Sequence, residues 1–331
     1  MTTLEPATGP ATATQLNRER LAAFAQSYGA AIVLVILLVF GAVTFPTFLT
    51  VSNFANIATQ SSFLLIIAVG MTFVILTGGI DLSVGSVYAL GGVLAAYGSS
   101  WGILGAFALP LAVCAAIGVL QGALVAYAKM APFIVTLAGL LGVRGLVLVV
   151  TDGGSHTPLI SDAAVTAVGQ DGVLGIRWPV FIALLAVIVG SVLLARSRGG
   201  QAVLAVGGSE SASTLMGLPV ARVKFSVYVV SALCAGLAGA LTAAYSSSGV
   251  PNVGVGLELS AISAVVIGGT LLSGGRGNLV GTLAGVLLLT VIQNLINQVG
   301  SLSSSVQAVV SGTFLAIVVI IQTTLSRTQR L

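Results

Sequence analysis

Two carboxylates stand in matching surroundings. Asp81 lies in Gly79-Ile80-Asp81-Leu82-Ser83, and seven residues later come Gly91-Gly92, with Gly98 beyond. Glu258 lies in Gly256-Leu257-Glu258-Leu259-Ser260, and seven residues later come Gly268-Gly269, with Gly275 beyond. A carboxylate beside an apolar run can ligate a solute, relay a proton, or accept from the free N–H groups of a helix start. Two isolated acids make a thin relay. The pattern therefore favours helix breaks, marked by Asp81, Ser83, Glu258, Ser260, Gly268 and Gly269. Arg144 also lies inside an apolar run, where a cation costs about 2.5–3.5 kcal/mol on insertion scales. It braces the carbonyls of a broken helix, lines a solute path, or snorkels to an outer edge. His156 is the sole histidine, in Gly153-Gly154-Ser155-His156-Thr157-Pro158, with no nucleophile or ligand motif around it. An exposed loop residue is expected, with no catalytic residue and no metal site.

These groups are positioned by a chain made for lipid. Apolar residues form 57% of it and charged residues 6%, with mean hydropathy +1.13, against about a quarter charged in soluble domains. The basic balance rests on few charges and does not imply nucleic acid. Cys114 and Cys234 lie in apolar runs and read as packing residues. The 42 glycines suit closely packed membrane helices.

Windows of about 20 apolar residues give ten spans: 28–46, 56–77, 81–98, 102–128, 132–151, 179–195, 225–245, 260–273, 278–297 and 306–325. The eighth is short and glycine-rich, consistent with a broken or re-entrant segment. Residues 1–27 form a polar cytoplasmic tail and 326–331 a second one. With the N-terminus inside, Arg18, Arg20, Lys129, Arg196, Arg198, Arg222, Lys224, Arg276, Arg327 and Arg330 are cytoplasmic, and only Arg177 falls in an outer loop. The expected fold is an all-α polytopic membrane protein of about ten spans. The domain at 28–325 divides into halves at about 28–178 and 179–325. Asp81 follows the second span, near the inner face, and Glu258 follows the seventh, near the outer one. That odd offset makes the two halves a 5+5 inverted-topology repeat with broken helices.

The sizeable inner loop is 196–224. Within it Ser209 is a good N-cap, Glu210 suits a helix start, Gly217 suits a left-handed C-terminal position, and Pro219 prevents continuation. Ala212, Leu215 and Met216 give this two-turn helix a small apolar face, for a cytoplasmic partner or for the lipid interface. No Gly-x-x-x-x-Gly-Lys-Ser/Thr loop occurs in the chain, so it is not expected to bind or hydrolyse ATP alone.

Over about residues 30–325 the chain resembles the permease subunits of ribose-type ATP-binding-cassette importers. The motifs that carry this are Leu76 to Gly85, Pro132 to Leu137 with Arg144-Gly145, Ala205 to Gly208 leading into the short helix and Gly217, and Glu258 to Thr270 ending at Gly274-Gly275-Arg276-Gly277. Gln201, Ser209 and Ser260 stand where Arg, Asn and Asp are common in that family.

The resemblance implies a homodimer in the bacterial plasma (inner) membrane, with both termini cytoplasmic. It implies ATPase subunits below, which use ATP and Mg, and an extracytoplasmic solute-binding protein above, received by loops 152–178 and 246–257. This chain itself would bind no cofactor. Gly207, Gly208, Ser209, Glu210, Leu215, Met216 and Gly217 would form the coupling segment. The cargo would be a monosaccharide of the ribose, xylose or galactose kind. A nucleoside or signal molecule is the alternative, and an ion-coupled secondary transporter the more distant one. A neutral polyol needs hydrogen-bond partners, so Gln60, Gln121, Gln293, Asn294 and Asn297 are path candidates beside Arg144, with Phe63 and Phe73 as apolar walls.

Overall fold

The structure is a computed structural model that describes residues 30–299 together with 306, 309, 312 and 313. The tail 1–27, the tail 326–331 and nearly all of the expected span 306–325 lie outside the described residues. So do the topology-setting Arg18, Arg20, Arg327 and Arg330.

Twelve α-helices follow one another over residues 30–299. They are α1 (Ala30–Thr44), α2 (Val51–Leu76), α3 (Val84–Gly98), α4 (Gly102–Ala126), α5 (Pro132–Val150) and α6 (Ala163–Gln170). Then come α7 (Trp178–Arg196), α8 (Arg198–Gly208), α9 (Glu210–Leu215), α10 (Val220–Ser246), α11 (Leu257–Ile267) and α12 (Leu279–Gln298). A short antiparallel hairpin, β1 (Gly172–Val173) with β2 (Ile176–Arg177), separates α6 from α7.

Six helical runs are long and apolar enough to cross a membrane, including α3 and α4 taken as one run. That run is in fact a hairpin. Gly102, at φ 75° and ψ −168°, reverses the chain, and Cys114 Sγ comes back beside the Val87 carbonyl. Three expected spans are thus met by shorter helices, α1, α3 and α11. The expected span 260–273 is corrected most. Its helix starts at Leu257 and stops at Ile267, about 16 Å long, roughly half of a 30 Å hydrocarbon layer. Gly268 and Gly269 end it, with Gly269 at φ 91°.

Burial sorts the helices into a centre and a rim. α2 is buried on all sides from Ser61 to Leu76, as an all-apolar helix must be when it is surrounded by others. α4, α5 and α7 turn Leu104, Leu120, Leu141, Val149, Leu185 and Ile188 outward, which in a polytopic protein is the lipid-facing surface. α10 is the second central rod and packs on α3 and α4, while α2 packs on α11 and α12. Each of these two central helices is therefore covered by a pair of consecutive helices far from it in the chain.

The α3–α10 contact depends on missing side chains. A methyl added at Gly239 would collide with the Tyr88 carbonyl and lie 2.9 Å from the Gly92 nitrogen. Both are backbone atoms that cannot yield. Gly239→Leu is therefore expected to destabilise the bundle by more than about 3 kcal/mol, read as loss of the monodisperse peak in heated detergent extracts.

The two acidic motifs do not take matching local structures. Asp81 lies in a non-helical stretch before α3, and Gly91 and Gly92 fall in mid-helix. Glu258 sits in the first turn of α11, and Gly268 and Gly269 lie past its end.

Candidate functional site

Chemistry-bearing residues collect in three places. The first is the end of the bundle where α2 finishes. Ser197 starts α8 by accepting from the Gly200 N–H at 2.9 Å. Gly207 of α8 lies against the Leu76 carbonyl, which accepts from the Gly275 N–H at 2.9 Å. Gln201 Nε2 donates to the Ala195 carbonyl at 3.1 Å, so the amide at this position ties α8 back to α7. The helix α8 was not expected from sequence. Its signals were the Ser197 cap and the buried Ala202, Val203 and Val206 at helical spacing.

α9 follows directly. Ser209 Oγ accepts from the Ala212 N–H at 3.2 Å. Gly217 closes the helix at φ 76°, its N–H donating to the Thr214 carbonyl at 3.0 Å. Lys224 Nζ, on α10, donates to Glu210 Oε2 at 2.6 Å. This ion pair joins the short helix to a central rod. Leu215 and Met216 are 90% and 74% exposed, so α9 presents an apolar surface with nothing on it. Beside it lies a recess of about 860 Å³ lined in part by Tyr127, Lys129, Met130, Thr214 and Arg222.

The second place is a closed polar core. Asp81 is fully buried and sits against Ser231, near the middle of α10. Its Oδ1 accepts from the Ser83 N–H at 2.9 Å and the Ser83 hydroxyl at 2.6 Å, and its Oδ2 accepts from the Ser231 hydroxyl at 2.8 Å. Gln121 Oε1 lies 3.1 Å from Ser83 Oγ. Gln121 is buried here, apart from the other amides chosen for the path. Arg144 is at the far end of this region. Its Nη1 donates to the Pro251 and Val253 carbonyls, both at 3.0 Å, in the turn that leads to α11. Ser260, in the first turn of α11, lies close behind; its hydroxyl donates back to the Gly256 carbonyl at 3.3 Å.

The third place is at the opposite end of α2 from α9. Asn56 and Gln60 of α2 face Thr290, Gln293, Asn294 and Asn297 of α12 across a small cleft. Asn294 Nδ2 donates to Asn53 Oδ1 at 2.8 Å, Gln298 Nε2 to Asn294 Oδ1 at 3.0 Å, and Thr47 Oγ1 to Gln298 Oε1 at 3.0 Å. Asn56, Gln60, Gln293 and Asn297 are exposed. The structure thus brings together four amides picked from sequence, Gln60, Gln293, Asn294 and Asn297. It leaves Phe63, Phe73, Gln121 and Arg144 elsewhere. Phe63 is buried with its ring 5.7 Å from that of Tyr245, and Phe73 is buried farther along α2. Asn53, Asn56 and Thr290 were missed, although Asn53, Asn56 and Gln60 share one helix face by spacing.

His156 is exposed and stacks on Tyr97 at 6.4 Å. No group of metal-ligating side chains occurs among the described residues.

Comparison with known proteins follows the same line. A family model described as branched-chain amino acid transport system / permease component matches residues 53–321. The ribose import permease protein RbsC of Bacillus subtilis is 41% identical over 298 residues, covering 89% of this chain and 92% of that protein. The Escherichia coli protein of the same name is 40% identical, covering 88% and 91%. The fructose import permease protein FruG of Bifidobacterium longum is 32% identical, covering 88% and 89%. No solved structure matches the chain.

Proposed function

Because the chain belongs to the branched-chain amino acid transport system / permease component family, we propose that it is the membrane-spanning permease of an ATP-binding-cassette importer for a monosaccharide. The observation that carries this is the identity of about 40% to ribose import permeases over nearly the whole chain. The cleft chemistry suits a neutral polyol, since its carboxamides and the Thr290 hydroxyl both donate and accept, with Ile57 as the apolar residue in the lining.

The protein is a multi-pass inner-membrane subunit, with α9 cytoplasmic and the amide cleft toward the outside. Its ten spans form two inverted halves. Support for this is the exchange of central helices, α10 against α3 and α4, and α2 against α11 and α12. The helix breaks at Asp81, Ser83, Glu258, Ser260, Gly268 and Gly269 frame the path between the halves. The cleft opens onto that path at the two-fold axis of a homodimer. Exposed carboxamides cannot face hydrocarbon without cost, so Asn56, Gln60, Gln293 and Asn297 meet water or a second copy. A solute-binding protein delivers the sugar to the outer loops. An ATPase that uses ATP and Mg docks on Gly207, Gly208, Ser209, Glu210, Leu215, Met216 and Gly217. Closure of the ATPase pair moves α9, and the Glu210–Lys224 pair passes that movement to α10.

Reconstitution tests the whole reading. Vesicles holding the permease, the ATPase and the binding protein should take up ribose or fructose only with ATP inside. Uptake by the permease alone, driven by a proton or sodium gradient, would make it a secondary transporter instead.

A further inference from the structure

Arg177 was placed by sequence merely as the basic residue of an outer loop, but the structure folds it inward. It is half-buried at the start of α7. Its Nη1 donates to Thr59 Oγ1 at 3.3 Å and to Asn56 Oδ1 at 3.5 Å, and its guanidinium carbon lies 5.3 Å from the centre of the Tyr245 ring. All three partners are neutral. Among the described residues no carboxylate pairs with Arg177, and the remaining guanidinium N–H groups have no partner.

Asn56 links this pair to the cleft, because it both accepts from Arg177 and lines the wall with Gln60 one turn farther on. Gln170 Nε2 donates to the Tyr245 backbone carbonyl and to Ser247 Oγ, both at 2.9 Å, which fixes the chain at this point, and Phe63 packs against the Tyr245 ring.

We propose that Arg177 and Tyr245 form the receiving end of the amide cleft, where a neutral monosaccharide is held before it passes Gln60 and Gln293. The proposal rests on the monosaccharide reading above. The guanidinium offers a planar fork of donors suited to adjacent hydroxyls, and the Tyr245 ring against which it lies holds that fork in place. The carboxamides both donate and accept, as hydroxyls do. The Arg177 bonds to Asn56 and Thr59 are long, so sugar hydroxyls can replace them at small cost. With one cation and no acid at hand, the site favours a neutral polyol over an amine.

The test uses the complete importer in proteoliposomes, with radiolabelled ribose and fructose as probes. Arg177→Gln should lower uptake about tenfold, while ATPase stimulation by the loaded binding protein stays within about twofold. Tyr245→Phe keeps the ring and should transport at near the wild-type rate, whereas Tyr245→Leu should fall about fivefold. Wild-type uptake by Arg177→Gln would overturn the proposal. So would ATPase stimulation that falls in step with uptake, since Arg177 would then be a contact for the binding protein. Should Arg177→Gln fail to assemble, equal rates for the two Tyr245 variants would overturn it. Stronger competition by glucuronate than by unlabelled ribose would replace the neutral sugar with an anion. A wild-type complex that carries neither sugar removes the monosaccharide reading, and this proposal with it.

Discussion

Gly217→Pro will leave the membrane subunit folded but cut transport-coupled ATPase activity by about tenfold or more. Gly217 sits at φ 76°, and proline holds φ near −65°. The Gly217 N–H also donates to the Thr214 carbonyl, a bond that proline cannot make. The last turn of α9 must therefore open, and the exposed Leu215 and Met216 lose the direction in which they meet a partner. The bundle should not suffer, because nothing lies within van der Waals reach of a side chain added at Gly217. Glu210→Arg attacks the same link from the other end, setting a second cation beside Lys224 in place of the ion pair. Gly217→Ala, with only the left-handed backbone to strain, should cost about 1 kcal/mol and retain most coupling. ATPase activity stimulated by the loaded binding protein, measured beside size-exclusion profiles of the complex, reads both effects. Full stimulation in Gly217→Pro and Glu210→Arg would remove α9 from the coupling role.

Asp81→Ala will have the largest effect on stability. Three donors converge on the Asp81 carboxyl group in a site without water access. Alanine leaves the Ser83 N–H and the Ser231 hydroxyl unpaired, while the Ser83 hydroxyl can turn to Gln121 Oε1. At about 1–3 kcal/mol for each stranded donor, plus the cavity left behind, the loss should be about 3–5 kcal/mol. Asp81→Asn keeps the shape and one acceptor oxygen, and should lose roughly half as much. The midpoint of thermal unfolding in detergent measures the difference. An unchanged midpoint for Asp81→Ala would show that this cluster does not tie the 77–83 stretch to α10.

The parts legible in the sequence were those governed by local pattern. Runs of about 20 apolar residues located α2, α4, α5, α7, α10 and α12 to within a few residues at most ends. The cap at Ser209 and the stop at Gly217 located α9, because capping is a property of adjacent residues. Within the expected span 260–273 the helix α11 stops at Ile267, where Gly268 and Gly269 follow it. The helix α8 was overlooked because its apolar positions are few and it lies between a span and the more obvious cap.

Other features depended on contacts between residues far apart in the chain. The burial of Asp81 depends on Ser231, 150 positions away, a contact that charge counting along the chain does not reveal. The amides of α2 and α12 meet because α12 packs on the central helix α2, and Gln121, chosen by the same reasoning, is packed into the core instead. Arg177 turned inward because Thr59, Asn56 and Tyr245 wait there, and no local signal announces them.

The sequence by itself determined that this is a helical membrane protein with a short capped helix between two apolar runs, because hydropathy and capping are written in neighbouring residues. Only the tertiary structure decided which polar groups share a cleft and which are sealed in the core. In lipid every buried polar group must find a partner, and the identity of that partner is settled by which helices pack together.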